Sequence, residues 1–408
     1  MNDNEKNVKR DVEWVMARHS RSHGLLPIRT VMKKYGDPQD QIQVIHVAGT
    51  NGKGSTVNYL RDILMALGYK VGTFTSPHLE HHFDRIRING SWITEERFNA
   101  YLEEIMDDIE ELDLGMFEID TVISLRWFYE QKVDYAILEC GIGGRLSNTN
   151  IMKKPVLNVI TTIGYDHVNL LGSRIEQIAF EKAGIIMPNT NCAMGFLLPQ
   201  AENVIRHTAY ARHAAVSSPK RWYRDDGEHA FVYRGHTYTI QGGDYQKHNA
   251  ALALHGIWLL GLDIGSEKVR EAVAASQWKG RFETMSQDPL IVIDGAHNEE
   301  GIRALCASTA SLPRPLRIVF SALRDKPGRK MAQMLKDSCD RLYITRFEFY
   351  RADTVAGLSI DGAETVDDWQ EAIRKAVAFA PDGSTLITGS LYFISVVREY
   401  LADSEQKR

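Results

Sequence analysis

IQVIHVA (Ile42–Ala48) runs straight into GTNGKGS (Gly49–Ser55), and the fold is decided in these fourteen residues. The first seven read as a buried β-strand, an apolar β-branched run too short for a helix. The next seven hold three glycines and a lysine. Behind them Val57, Leu60, Leu64 and Leu67 recur at helical spacing, with Gly68 as the stop. Strand, glycine-rich turn and amphipathic helix in register predict a phosphate site. Glycines let backbone N–H groups turn toward an anion, and the helix start adds partial positive charge. Lys53 can reach the outer phosphates, and Ser55 or Thr56 can bond phosphate or metal. The spacing is compressed relative to a regular Walker A, since Val47 stands five positions before Gly52.

Working outward, further strands are expected at Lys70–Phe74, Asp134–Glu139 and Val156–Ile163, each followed by a loop rich in Gly, Ser, Asn or His. Alternation with helical patterns signals a parallel α/β sheet, whose chemistry collects at the carboxyl ends of the strands. FVYRGHTYTI alternates like a hairpin turning at Arg234-Gly235. LIVID (Leu290–Asp294) then begins a second strand series, with helices starting near Glu299, Pro327 and Asp367. The expected architecture is an N-terminal P-loop ATPase domain with a parallel sheet, residues 1–286, and a smaller Rossmann-like C-terminal domain, residues 290–408. At 408 residues two cores are the default.

Composition narrows the function classes. A net charge of -5 gives no whole-molecule attraction to nucleic acid or anionic membrane. No apolar run approaches the roughly 20 residues that span a bilayer, and the charged N-terminus MNDNEKNVKRDVEW lacks a signal peptide's apolar stretch. Cys140, Cys192, Cys306 and Cys339 are scattered, which fits reduced thiols in a cytoplasmic protein.

Candidate groups sit at the other strand ends. Ser76 lies in TSPHL, alone an ordinary turn. Glu139 ends its strand before CGIGGR, a position that suits a hard cation but also a solvated acid. Asp166-His167 follows the strand ending at Ile163. Lys182, in IAFEKAGII, reads by itself as an exposed helix lysine. Gly280-Arg281-Phe282-Glu283 marks the domain junction, and Asp294-Gly295-Ala296-His297-Asn298 closes a strand facing the cleft. His46, His81 and His82 read as structural or solvent-facing.

Taken in order, HVAGTNGKGST, TSPHL, DRIRING, GIGGRLSNTN, IGYDHVNLLG, IAFEKAGII, GRFE, DGAHN and ITGSLYF resemble the folylpolyglutamate synthase/dihydrofolate synthase family of the Mur ligase superfamily, from about residue 25 to 395. The resemblance implies an ATP-dependent ligase that adds L-glutamate to a folate or pteroate carboxylate through an acyl phosphate. It implies that Asn51, Gly52, Lys53, Gly54 and Ser55 hold the phosphates, and that Asn249, Arg281, Asp294 and His297 meet the nucleotide. Ser76, Glu139 and His167 would be magnesium ligands. Lys182 would be carbamylated and serve a second magnesium ion, with a monovalent cation as an optional addition. Lys53, Lys182 and His167 would carry the chemistry, and Gly115, Met116, Phe117, Leu146, Ser147 and Asn148 the acceptor. A cytoplasmic monomer with small-molecule substrates is expected. The sequence departs from the family pattern at Ser147, where GRLDATN carries an acid, and at Asp84, Cys140 and Lys279. The alternatives are a Mur-type ligase for another carboxylate, which the roughly 40 residues before the P-loop strand disfavour, and a P-loop ATPase or kinase.

Overall fold

The computed structural model describes residues 11–18, 24–379 and 382–406; the charged stretch before Asp11 lies outside them. The first sheet has eight strands: β1 Gln43–Ala48, β2 Val71–Phe74, β3 Ile86–Ile88, β4 Ser91–Trp92, β5 Tyr135–Glu139, β6 Leu157–Ile160, β7 Asn191–Met194 and β8 Ala215–Ser217. Their order is β4-β3-β2-β5-β1-β6-β7-β8. β1 is central, parallel to β5 on one side and β6 on the other, and all of it beyond Gln43 is buried. Burial on both faces explains why the strand is a continuous apolar run rather than an alternating one.

From β1 the chain runs to β2 on one side, while β6 lies on the other. The order therefore reverses beside β1, and a crevice opens at the carboxyl ends. The phosphate-loop helix, Lys53–Ala66, buries Val57, Leu60, Ile63 and Leu64 and ends at Leu67-Gly68. Ile63 is a core position that the sequence pattern passed over.

DRIRING supplies β3 and the turn at Asn89-Gly90, both in the left-handed region, and Ser91–Trp92 returns antiparallel as β4. The expected hairpin is present as β10 (Ala230–Tyr233) and β11 (His236–Thr239), extended by β9 (Tyr223–Asp225) into a three-stranded sheet. Arg234 and Gly235 both have positive φ, the backbone of the tight turn that suits hairpin twist.

The third sheet has the order β12-β13-β17-β14-β15-β16, from β12 Glu283–Gln287, β13 Leu290–Asp294, β14 Leu316–Phe320, β15 Arg341–Arg346, β16 Glu364–Asp368 and β17 Ser384–Thr388. It is parallel except for β12, which pairs antiparallel with β13. Residues 283–287 thus already belong to the C-terminal sheet, on the near side of the junction read from the sequence. Helices begin at Glu299, Gly328 and Trp369. The eight-stranded and six-stranded sheets have separate apolar cores, the three-stranded sheet packs into the first of these, and the carboxyl edges of the two large sheets face one another across a cleft.

Candidate active site

The cleft contains a cavity of about 310 Å³ lined by Asn51, Gly52, Lys53, Gly54, Ser55, Ser76, Glu139, His167, Lys182, Asn249, Arg281, Asp294 and His297. Every nucleotide and metal candidate read from the sequence therefore borders one space.

Its floor is the loop after β1. Gly52 stands before the helix at φ 80, and a Cβ there would lie 2.3 Å from Asn249 Oδ1. Glycine is required twice over, for the left-handed turn and for the approach of Asn249. Lys53 Nζ donates to Thr50 O at 3.2 Å and lies 3.8 Å from Glu139 Oε1. Thr161 Oγ1 and Thr162 Oγ1 both donate to Asn51 O, tying the loop to the end of β6.

Glu139 is buried, and its carboxylate accepts from Ser76 N at 3.3 Å. Burial raises its pKa; Lys53 and the Ser76 amide act against that rise. Burial also lowers the His167 pKa, to about 4, leaving a neutral imidazole able to act as a ligand. Among the described residues no three His, Cys, Asp or Glu side chains converge on one ion site. A divalent ion at Ser76, Glu139 and His167 would therefore lean on a hydroxyl, one carboxylate and an imidazole, with phosphate oxygens completing the shell. That donor set fits magnesium, which is held by one or two carboxylates plus substrate phosphates.

Lys182 corrects the reading of it as an exposed helix lysine. It is buried, and its Nζ donates to Gly49 O at 2.8 Å. Helix Ile175–Ala183 turns this face inward because Ile178, Ala179 and Lys182 share it at three- and four-residue spacing. Burial, assisted by the nearby Lys53 charge, lowers its pKa to about 7. A substantial neutral-amine fraction at neutral pH makes this nitrogen nucleophilic.

The C-terminal wall is tied to the phosphate loop by amides. Asn51 and Asn298 donate to each other's Oδ1 at 3.0 Å, and Asn298 also donates to Asp166 Oδ2 at 3.0 Å. Asp166 pairs with Lys326 as well, and lies 3.5 Å from His297 Nε2. Burial would raise its pKa, yet His297 and Lys326 hold it well below the usual carboxylate range. Asp294 is consumed by protein contacts, accepting from Tyr245 OH at 2.5 Å and from the Phe282 and Ala296 amides at 2.8 Å. It shapes the wall beside Arg281. Sequence reasoning named Asp166 without a role and Asn298 as part of the turn at the cleft, and passed over Lys326 and Tyr245; tertiary folding brings these groups together.

A second cavity, about 430 Å³, adjoins the first and shares Ser76, Pro77, Gly141, Ile142, His167, His297 and Leu391 with it. Met116, Phe117, Leu146, Ser147 and Asn148 line it. Gly115 is not among its lining residues: it caps helix Met116–Glu130, its N–H donating to Glu118 Oε2 at 2.9 Å. Ser147 is nearly buried, with its hydroxyl 2.9 Å from Thr149 Oγ1. Thr149 Oγ1 is 2.9 Å from His46 Nε2, which is 3.1 Å from Cys140 Sγ. Burial keeps His46 neutral, its pKa lowered to about 3, and pushes the Cys140 thiol up to about 11. His46 is structural, as expected. His82 is also structural, but buried, 2.8 Å from Asp120 Oδ1.

Residues 47–249 match the Mur ligase middle domain, and residues 280–391 match the Mur ligase, glutamate ligase domain. Fold and cleft thus define an ATP-binding ligase of the Mur class. The dihydrofolate synthase/folylpolyglutamate synthase of Bacillus subtilis (strain 168) is 37% identical over 409 residues, covering 93% of this chain and 95% of that protein. The enzyme of the same name from Escherichia coli (strain K12) is 31% identical, over 93% and 91%. Among solved structures, the Escherichia coli protein in complex with DHPP and ADP superposes with a TM-score of 0.87 at 30% identity, covering 96% and 97%. Mycobacterium tuberculosis folylpolyglutamate synthase complexed with ADP gives 0.85 at 30%, over 92% and 94%. The chain belongs to the dihydrofolate synthase/folylpolyglutamate synthase family. Among the described residues no helix is long and apolar enough to cross a membrane.

Proposed function

We infer that this protein is an ATP-dependent ligase that joins L-glutamate to the carboxylate of a folate-type acceptor. The observation that carries the inference is the shared wall of the two cavities. A phosphate-holding loop opens into one, a largely apolar slot fit for an aromatic acceptor forms the other, and Ser76, His167 and His297 border both. A carboxylate held at that seam lies next to a terminal phosphoryl group.

The reaction has two parts. The acceptor carboxylate attacks the γ-phosphorus of ATP, giving an acyl phosphate and ADP. The amine of glutamate then attacks the acyl carbon, the amide forms, and phosphate and a proton leave. Lys53 offers an ammonium that strengthens its contact as charge moves onto the transferring oxygens. The Gly52–Ser55 amides and the start of the Lys53–Ala66 helix face the phosphates. Two walls closing on three substrates supply proximity and exclude water, which would otherwise hydrolyse the acyl phosphate. Magnesium, when bound, would be held by Ser76, Glu139 and His167 and would neutralise phosphate charge.

The finer reading adds a second magnesium served by carbamylated Lys182. Its burial and lowered pKa support that reaction with carbon dioxide, which requires a neutral amine. Acceptor contacts at Met116, Phe117, Leu146, Ser147 and Asn148, and nucleotide contacts at Asn249, Arg281 and His297, belong to the same reading, as do a functional division between residues 286 and 290 and a cytoplasmic monomer. The test is a coupled ADP assay with dihydropteroate and tetrahydrofolate offered separately, each with and without glutamate. ADP release that needs both an acceptor and glutamate is expected. Release without amide product, or a stable phosphorylated product, would mark an ATPase or a kinase.

A further inference from the structure

Resting on the reading just given, we propose that Arg351 selects the incoming amino acid by binding its side-chain carboxylate in the C-terminal wall of the acceptor cavity. Three cationic side chains line that cavity, Arg85, Lys326 and Arg351, and no Asp or Glu is among its lining residues. They are not equally available. Arg85 has 6% of its side chain exposed and lies 3.8 Å from buried Asp120. Lys326, 7% exposed, is committed to Asp166. Arg351 is 37% exposed and pairs with Asp325, itself 39% exposed, through Nη2 at 2.9 Å. Its Nε and Nη1 make no hydrogen bond among the described residues. A guanidinium with one edge used and another open is the arrangement that receives a carboxylate in bidentate fashion.

The position is rigid. Arg324 donates to Tyr350 O at 2.6 Å and to Ala352 O at 2.9 Å, and Asp353 N donates to Ala322 O. Two backbone segments at the carboxyl ends of β14 and β15 are thereby locked together around Arg351. The location also decides which substrate it meets. The opposite wall, with Met116, Phe117 and Leu146, is apolar and suits an aromatic acceptor. The seam with the nucleotide cavity lies between the two walls. An amine reaching the seam from the C-terminal wall leaves its own side chain extended back toward Arg351. A dicarboxylic amino acid then has its distal charge matched, whereas an uncharged side chain leaves the guanidinium edge without a partner.

Steady-state kinetics on Arg351→Met and Arg351→Lys, with wild type alongside, tests this. In Arg351→Met the KM for glutamate should rise about 20-fold with kcat within about threefold, the pattern of a lost binding contact. KM for ATP and for acceptors carrying one or three glutamates should stay unchanged, and the preference for glutamate over glutamine should fall by about the same factor. Arg351→Lys, which keeps charge without the fork, should fall between, and matching thermal midpoints show that both variants are folded. Unchanged glutamate KM, or a rise confined to the acceptor KM that grows with its glutamate number, would overturn the assignment and give Arg351 to the acceptor tail. Wild-type enzyme that releases no ADP in response to glutamate would overturn the ligase reading itself, a result the variants cannot mimic.

Discussion

The two cavities that meet at Ser76, His167 and His297 are built by different rules. The phosphate side of the nucleotide space follows directly from strand ends of the first sheet: Gly49–Ser55 after β1, Ser76 after β2, Glu139 at the end of β5, His167 beyond β6; Lys182 and Asn249 join it from helices, and Arg281, Asp294 and His297 from the C-terminal side of the cleft. The acceptor space draws on a helix start at Met116, the loop Leu146–Asn148 and the segments that follow four strands of the other sheet, β13, β14, β15 and β17. The contrast teaches that phosphate chemistry is written in short contiguous motifs, because backbone amides and one lysine do most of the binding. Acceptor and amino-acid choice is spread across the chain, because shape needs several walls.

The sharpest way to break that contrast is Lys53→Ala. Removing the ammonium should lower kcat by a factor of about 10³ with little change in acceptor KM, because a γ-phosphate contact strengthens in the transition state. Single-turnover ADP formation measures it, and a drop below tenfold would mean the phosphate loop is less local than argued.

Lys182→Ala comes next, with turnover impaired by about 10²-fold and partly restored by added acetate or formate. Unrescued loss would deny a carboxylate-like role there. The same residue makes a stability prediction with a defined sign. Unfolded, its amine holds a proton up to about pH 10.5; folded, only to about 7. The unfolded chain binds more protons in between, so this group's contribution to stability rises with pH from 7 to 10.5. Its penalty is complete below 7 and gone above 10.5. Lys182→Met should therefore stabilise the nucleotide-free protein most below pH 7, on the order of a few kcal/mol, and least near pH 10.5, read as a thermal midpoint that rises most at low pH. A pH-independent gain would indicate packing alone.

Asn298→Ala probes the junction between the two regions. It removes the reciprocal amide pair with Asn51 and one donor to Asp166. The KM for ATP should rise about fivefold and thermal stability fall by about 1–2 kcal/mol. The smallest effect is expected for Ser147→Ala, which deletes one contact in a neutral hydroxyl–imidazole chain. A loss within about 1 kcal/mol, read from denaturant midpoints, is the expectation. A larger loss would show that the chain from Ser147 to Cys140 positions the acceptor wall.

Legibility in the sequence followed the same divide. The P-loop strand and helix, the hairpin at Arg234-Gly235 and the second strand series were readable because period and turn chemistry are local signals. Lys182 was marked only through the family resemblance: taken alone its helix looks ordinary, and packing against the Gly49 loop is what buries the amine. The join of β12 to the C-terminal sheet was hidden because ETMSQ is polar and its partner strand decides its place. Arg351 and Lys326 carried no motif at all; their meaning comes from which cavity their loops enter. Gly115 illustrates the reverse limit, since alignment with acceptor contacts marked a residue whose observed work is to start a helix.

The central claim is a single crevice holding triphosphate, metal and carboxylate between the two sheets. A crystal structure with a non-hydrolysable ATP analogue and magnesium tests it most directly. The account predicts phosphate oxygens on the Gly52–Ser55 amides and Lys53, with one ion bound jointly by Ser76, Glu139 and His167. Phosphates lodged elsewhere, or an ion that leaves those three side chains untouched, would contradict it.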